Sequence, residues 1–68
     1  MDYFDYETVA REARIPSHQL ARIVAIMEQE FPHDQMMCEL HILRTCMAIR
    51  DGHTSLDRAL AADLTAGR

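Results

Sequence analysis

An all-α fold, a small bundle of about four helices, is what the composition and patterning of this chain predict. The sequence has only two glycines and two prolines, and no run rich in valine, isoleucine and threonine alternates over the length of a strand. Apolar residues recur instead at spacings of three and four, the period of a helix with one buried face. With 49% hydrophobic residues, a chain of 68 is close to the lower limit at which one apolar core suffices without metal or disulfide. No repeat, low-complexity run or flexible linker divides it, so residues 1–68 are expected to form one compact helical domain.

The first helix should run from about Asp5 to Ala13, with Val9, Ala10 and Ala13 on one face and Tyr3, Phe4 and Tyr6 as aromatic cover at its start. Pro16 can open the second helix at the position where a missing N–H costs nothing. That helix should continue to about Glu30 and bury Leu20, Ile23, Val24, Met27 and Phe31. Phe31-Pro32-His33-Asp34 breaks the pattern, and Asp34 can cap a third helix that ends near Arg50, at Asp51-Gly52. Thr54-Ser55-Leu56-Asp57 reads as an N-cap with an acid three residues on. It begins a short fourth helix over about 55–64, through Leu56, Ala59, Leu60 and Leu64, with frayed residues after it.

The third helix carries two apolar stripes. Met36, Leu40, Leu43 and Met47 form one, and Cys38, Ile42, Cys46 and Ile49 form another, roughly 120 to 150° round the axis at 100° per residue. Both are hard to cover in so short a chain, so these eight residues are the expected interface with a second copy or a protein partner.

Seven basic residues, all arginine, stand against eleven acidic ones, a net charge of −4 that argues against indiscriminate nucleic-acid binding. The charges are unevenly spread. Residues 9–24 hold Arg11, Arg14 and Arg22 against Glu12 alone, whereas Asp2, Asp5 and Glu7 precede them and Glu28, Glu30, Asp34 and Glu39 follow. A small basic patch on an acidic body is compatible with DNA, and an acidic body is equally compatible with a protein partner. No stretch approaches the roughly 20 apolar residues of a membrane span, and no basic leader with an apolar run opens the chain, so a cytoplasmic location is expected.

Residues 7–24 space their small and apolar side chains as two short helices meeting at a tight corner require, with Ala10 and Ala13 small where the helices cross. The pattern resembles the helix-turn-helix of bacterial repressors, particularly the lactose-repressor type of headpiece, which commonly reads Val-Ala-x-x-Ala-Gly-Val-Ser-x-x-Thr-Val-Ser-Arg-Val-Val. Val9, Ala10, Ala13, Arg22 and Val24 match that string by identity, and Ile15, Leu20 and Ile23 match by type. Arg14 departs from it, standing where the family usually has glycine because the corner residue tends to adopt positive φ. A side chain there costs roughly 1 to 2 kcal/mol. The resemblance implies that Ser17, His18, Gln19 and Arg22, early on the second helix, face DNA bases. Gln19 could pair with adenine, Arg22 with guanine or a phosphate, and Ser17 or His18 with phosphate oxygens, while Arg11 and Arg14 flank the corner. The plainer reading is that these polar residues are simply solvated.

Other chemistry is weakly represented. Cys38 and His41 could share a face, but His33 precedes the helix and Cys46 points about 140° away from His41, so tetrahedral metal binding is not expected. The two cysteines, about 12 Å apart along one helix axis, are beyond the roughly 7 Å that a disulfide allows and should be free thiols. There is no glycine-rich phosphate loop and no nucleophile elbow, so neither enzymatic activity, a small-molecule substrate nor a cofactor is expected. Met27, Met36, Met37 and Met47 sit among core positions and read first as packing.

Two functions remain open. One is a small cytoplasmic transcriptional regulator that binds DNA through its N-terminal helix-turn-helix as a dimer, paired through the third helix with the fourth as a further candidate. The other is a helical protein–protein interaction module, an adaptor or inhibitor in which the corner is only scaffold and the spare stripe docks on a partner. They differ in the exposure and charge around Arg22.

Overall fold

A computed structural model describes residues 3–66 of the chain, with side chains as far as Ala61. They form four helices and no strand: α1 (Tyr6–Glu12), α2 (Ser17–Glu30), α3 (Gln35–Arg50) and α4 (Leu56–Ala66). The architecture is the all-α bundle that the patterning predicts. No helix among the described residues is long and apolar enough to cross a membrane.

Each start has a local cause. Asp5 caps α1, its carboxylate accepting from the Thr8 hydroxyl at 2.7 Å and the Thr8 N–H at 3.3 Å, and these bonds hold the Asp5 carboxyl below its ordinary value. Asp34 caps α3 by accepting from Met37 N–H at 3.0 Å. Pro16 stands one residue before its expected place, in extended backbone at the N-cap of α2, and no side chain caps that helix. At α4 the Ser55 hydroxyl accepts from Arg58 N–H at 3.1 Å, so Ser55, and not Thr54, is the cap. Leu64 lies outside the described side chains, and α4 continues to Ala66, two residues past its expected end.

The corner between α1 and α2 is a Schellman motif. Ile15 N–H donates to Ala10 C=O at 2.9 Å and Arg14 N–H to Arg11 C=O at 3.0 Å, with Arg14 left-handed at φ 60°. Ala10 and Ile15, the two ends of the longer bond, are both buried, which supplies the apolar contact the motif favours. The same motif ends α3, where His53 N–H reaches Ala48 C=O at 2.8 Å and Gly52 N–H reaches Ile49 C=O at 3.2 Å. There the left-handed position is Gly52, φ 81°, and no side chain opposes the conformation.

The core is Ala10, Ile15, Ile23, Cys38, Ile42, Cys46 and Leu60. α3 is its spine, with α1 and α2 both packed on it and α4 packed on α2. Cys38, Ile42 and Cys46 are at most 1% exposed. This corrects their expected place in an interface: α1 and α2 cover that stripe within the chain, and Ile49 packs beside it. The other stripe lies outside this core, with Met36 50% and Met47 38% exposed and Leu40 and Leu43 half-buried.

Among the described residues, one charged side chain is buried with the core. Glu39, 1% exposed, accepts from Tyr3 N–H at 2.6 Å and Phe4 N–H at 3.1 Å through Oε1, and from Gln35 Nε2 at 2.6 Å through Oε2. The Gln35 bond first, then the Phe4 and Tyr3 bonds, hold its carboxyl below the ordinary carboxylate value against the opposing effect of burial. At the other end of α1, Arg50 Nη1 reaches Glu12 Oε1 at 2.9 Å while its Nε holds Asp51 Oδ1 at 3.0 Å. A seven-residue helix is too short to persist alone, and these two ties fasten α1 to α3 at both ends.

Candidate nucleic-acid interface

The left-handed residue Arg14 turns the chain so that α2 begins at the surface, and the first two turns of that helix carry the candidate contacts. Ser17, His18 and Arg22 are exposed, as are Arg11 and Arg14 at the corner. Gln19 is not one of them. It is half-buried, and its Oε1 is shut away from solvent without a hydrogen-bond partner. The cause is helical phase: Gln19 is one turn before buried Ile23, about 40° from the core direction at 100° per residue. The exposed surface between His18 and Arg22 is completed by Ala21, a small residue that allows close approach to a flat or grooved partner.

The electrostatics of this patch follow from which acids are already engaged. Glu12, the acid nearest the corner, is held by Arg50, which leaves the charges of Arg14 and Arg22 uncompensated. Neither makes a side-chain hydrogen bond or ion pair among the described residues, whereas Arg11 donates from Nη2 to the Thr8 hydroxyl at 3.2 Å. Each guanidinium presents donors in a planar fork that fits a phosphate or the O6/N7 edge of guanine.

Acidic groups lie round the helix from Arg22. An open groove of about 360 Å³ between α1 and α2 has an apolar floor of Tyr6, Leu20, Val24 and Ala25, with Glu7 and Glu28 on its margins. Glu28 is about 120° from Arg22 at 100° per residue, so one edge of α2 is basic and the other acidic and apolar. A smaller depression of about 240 Å³ at the corner brings Glu7, Arg11, Ile15 and Ser17 together.

The residues weighed for metal binding do not converge. Cys38 and Cys46 are buried free thiols; burial pushes both up from the ordinary thiol value, and the nearby Glu28 and Glu39 carboxylates add to the rise at Cys38. The His41 ring stacks on Phe31 with centroids 4.6 Å apart, a packing role. Among the described residues no three histidine, cysteine or acidic side chains gather as a metal site would require.

Reading the sequence missed the two groups that position this surface, Glu39 and Arg50. Gln35 and Glu39, one turn apart on α3, were a visible helical pair. The Tyr3 and Phe4 N–H groups that complete the Glu39 site come from backbone more than thirty residues away, and no local signal announces them. No protein-family model, curated protein or solved structure matches the chain.

Proposed function

We propose that this chain is a sequence-reading DNA-binding module, a small cytoplasmic regulator rather than an enzyme, in which α2 is the recognition helix. The observation that carries the reading is the Arg14 corner: a left-handed residue closing α1 and followed at once by a helix whose exposed start bears Ser17, His18 and Arg22. Arg22 supplies a base-edge or phosphate contact, Arg11 and Arg14 supply phosphate contacts, and Ser17 and His18 fix the helix against the backbone. The body's net charge of −4 suppresses non-specific binding, so affinity rests on a few placed arginines.

The test is selection from a random double-stranded library, followed by anisotropy titration of the enriched sequence at about 50 and 200 mM salt. An enriched motif is expected, with a slope of log affinity against log salt of about −2 to −3 for three arginine–phosphate contacts. No enrichment and no binding at the lower salt would overturn the reading. The second reading, an adaptor or inhibitor that docks through α3, is favoured by one observation, the half-exposed Met36 at the edge of an apolar stripe.

A further inference from the structure

We propose that the exposed stripe of α3 is covered by a second copy of this chain, in an antiparallel helix pair whose two-fold axis passes between His41 and Ile42. Met36, Leu40, Leu43 and Met47 follow one another at steps of four, three and four, the spacing of a coiled-coil seam. At 100° per residue they fall within an arc of about 60°. The order is palindromic. Reversing the helix about the point midway between residues 41 and 42 exchanges Met36 with Met47 and Leu40 with Leu43.

Antiparallel pairing therefore sets Met36 against the partner's Met47 and Leu40 against the partner's Leu43, and repeats both layers on the other side of the axis. A surface that maps onto itself in this way is what an isologous two-fold interface needs. In parallel pairing each methionine would meet its own copy and each leucine likewise, with no use made of the reversed order.

The structure leaves this stripe available. α1 and α2 occupy the opposite side of α3, where Cys38, Ile42 and Cys46 are buried, and neither Leu40 nor Leu43 belongs to the set packed on the core. The ends fix the register. One further step along the seam reaches His33 before the helix and Arg50 at its end, and Arg50 is already held by Glu12 and Asp51. Sliding the pair by one heptad would lay that guanidinium on leucine or methionine and strip it of water. On the flank, the aliphatic stem of Arg44 lies against the partner's Met37, with its charged head outward.

A 16-residue helix is about 24 Å long, and pairing two of them buries on the order of 1,000 Å² in all, the lower bound of a specific interface. Association through so small an interface is expected to be weak, so the dimer is sought from low micromolar concentration upward. It is independent of the DNA reading, because it is measured without DNA.

Sedimentation velocity from low micromolar to near-millimolar protein tests it, with helix content followed by circular dichroism. The wild type is expected to shift from monomer to dimer over that range, and Leu40→Glu and Leu43→Arg each to weaken self-association at least tenfold. Mixing the two variants is expected to restore a heterodimer, since the antiparallel register places the new glutamate against the new arginine. Should either leucine variant lose its helix content, Met47→Glu, at a more exposed site of the same seam, takes its place and is expected to weaken the dimer likewise. A wild type that stays monomeric at near-millimolar concentration, or variants that associate as tightly as wild type, would overturn the proposal. A mixture that associates no more tightly than either variant alone would overturn the antiparallel register.

Discussion

Replacing Arg14 with glycine should make the protein more stable and a poorer ligand for DNA, two effects of opposite sign from one side chain. Arg14 sits at φ 60°, where a residue with a Cβ costs roughly 1 to 2 kcal/mol relative to the right-handed region. Glycine removes that cost but gives the unfolded chain more freedom, worth about 0.4 to 1 kcal/mol. The side chain makes no hydrogen bond or ion pair among the described residues, and the Ile15-to-Ala10 and Arg14-to-Arg11 bonds of the corner are backbone bonds that glycine keeps. The net gain therefore lies between about 0 and 1.6 kcal/mol, centred near 0.8, and at that centre raises the melting temperature of a domain of this size by about 3 to 6 °C. Thermal and urea melts measure it. Gly52→Ala is the mirror experiment: Gly52 is left-handed at φ 81° and a new Cβ there meets nothing within 4 Å, so a loss of similar size isolates the backbone effect. On the DNA reading, Arg14→Gly also loses one phosphate contact and makes the salt slope about 0.9 shallower. A destabilised Arg14→Gly protein would refute the assignment of a strained corner, and an unchanged salt slope would remove Arg14 from the DNA contacts.

Arg22→Ala should leave the melt nearly unchanged, because the side chain is exposed and unpaired, while weakening binding to a selected DNA site by on the order of 1 to 3 kcal/mol in gel-shift titrations. Ile42→Ala, at 1% exposure in the core, should cost about 2 to 5 kcal/mol. That is a large part of a total stability on the order of 3 to 10 kcal/mol for 68 residues, and urea unfolding would show it as a fall in midpoint at constant slope. Glu39 has a folded-state pKa lowered from its ordinary value of 4.5. Its stabilising contribution is thus full above that value and is lost as pH falls through the lower, folded-state value. Melts from neutral pH downward should show this loss, and Glu39→Gln should be less stable at neutral pH and flatten the acid limb. Cys38 and Cys46, buried with raised thiol pKa, should react with a thiol reagent only in denaturant; rapid labelling of the native protein would contradict their burial.

Local signals in the chain carried most of the fold. Asp5, Pro16 and Asp34, read as helix starts, are the residues at the N-caps, and Gly52 ends α3 where a left-handed residue is needed. These features depend on a few neighbouring residues, which is why they were legible. The choice between the two stripes of α3 was not, because it depends on where α1 and α2 dock, and the periodicity of α3 is the same for either answer. Gln19 marks the opposite failure: its inward phase relative to Ile23 was present in the spacing, but its polarity suggested the surface. Glu39 was unreadable as a buried anion because two of its three donors are backbone amides of the N-terminal segment, brought to it only by the finished fold.

The double fastening of α1 also sets an order of events. Its partners lie far along the chain, with Glu39 at 36 and 35 residues from Tyr3 and Phe4 and Arg50 at 38 residues from Glu12, so the ties to α3 close only once α3 has formed. Until then α1 has only its local cap and corner bonds, too little to hold a seven-residue helix, whereas α2 and α3 can pair through contacts nearer in sequence. Docking of α1, and with it the placing of the corner and its exposed arginines against α3, is therefore expected late in folding.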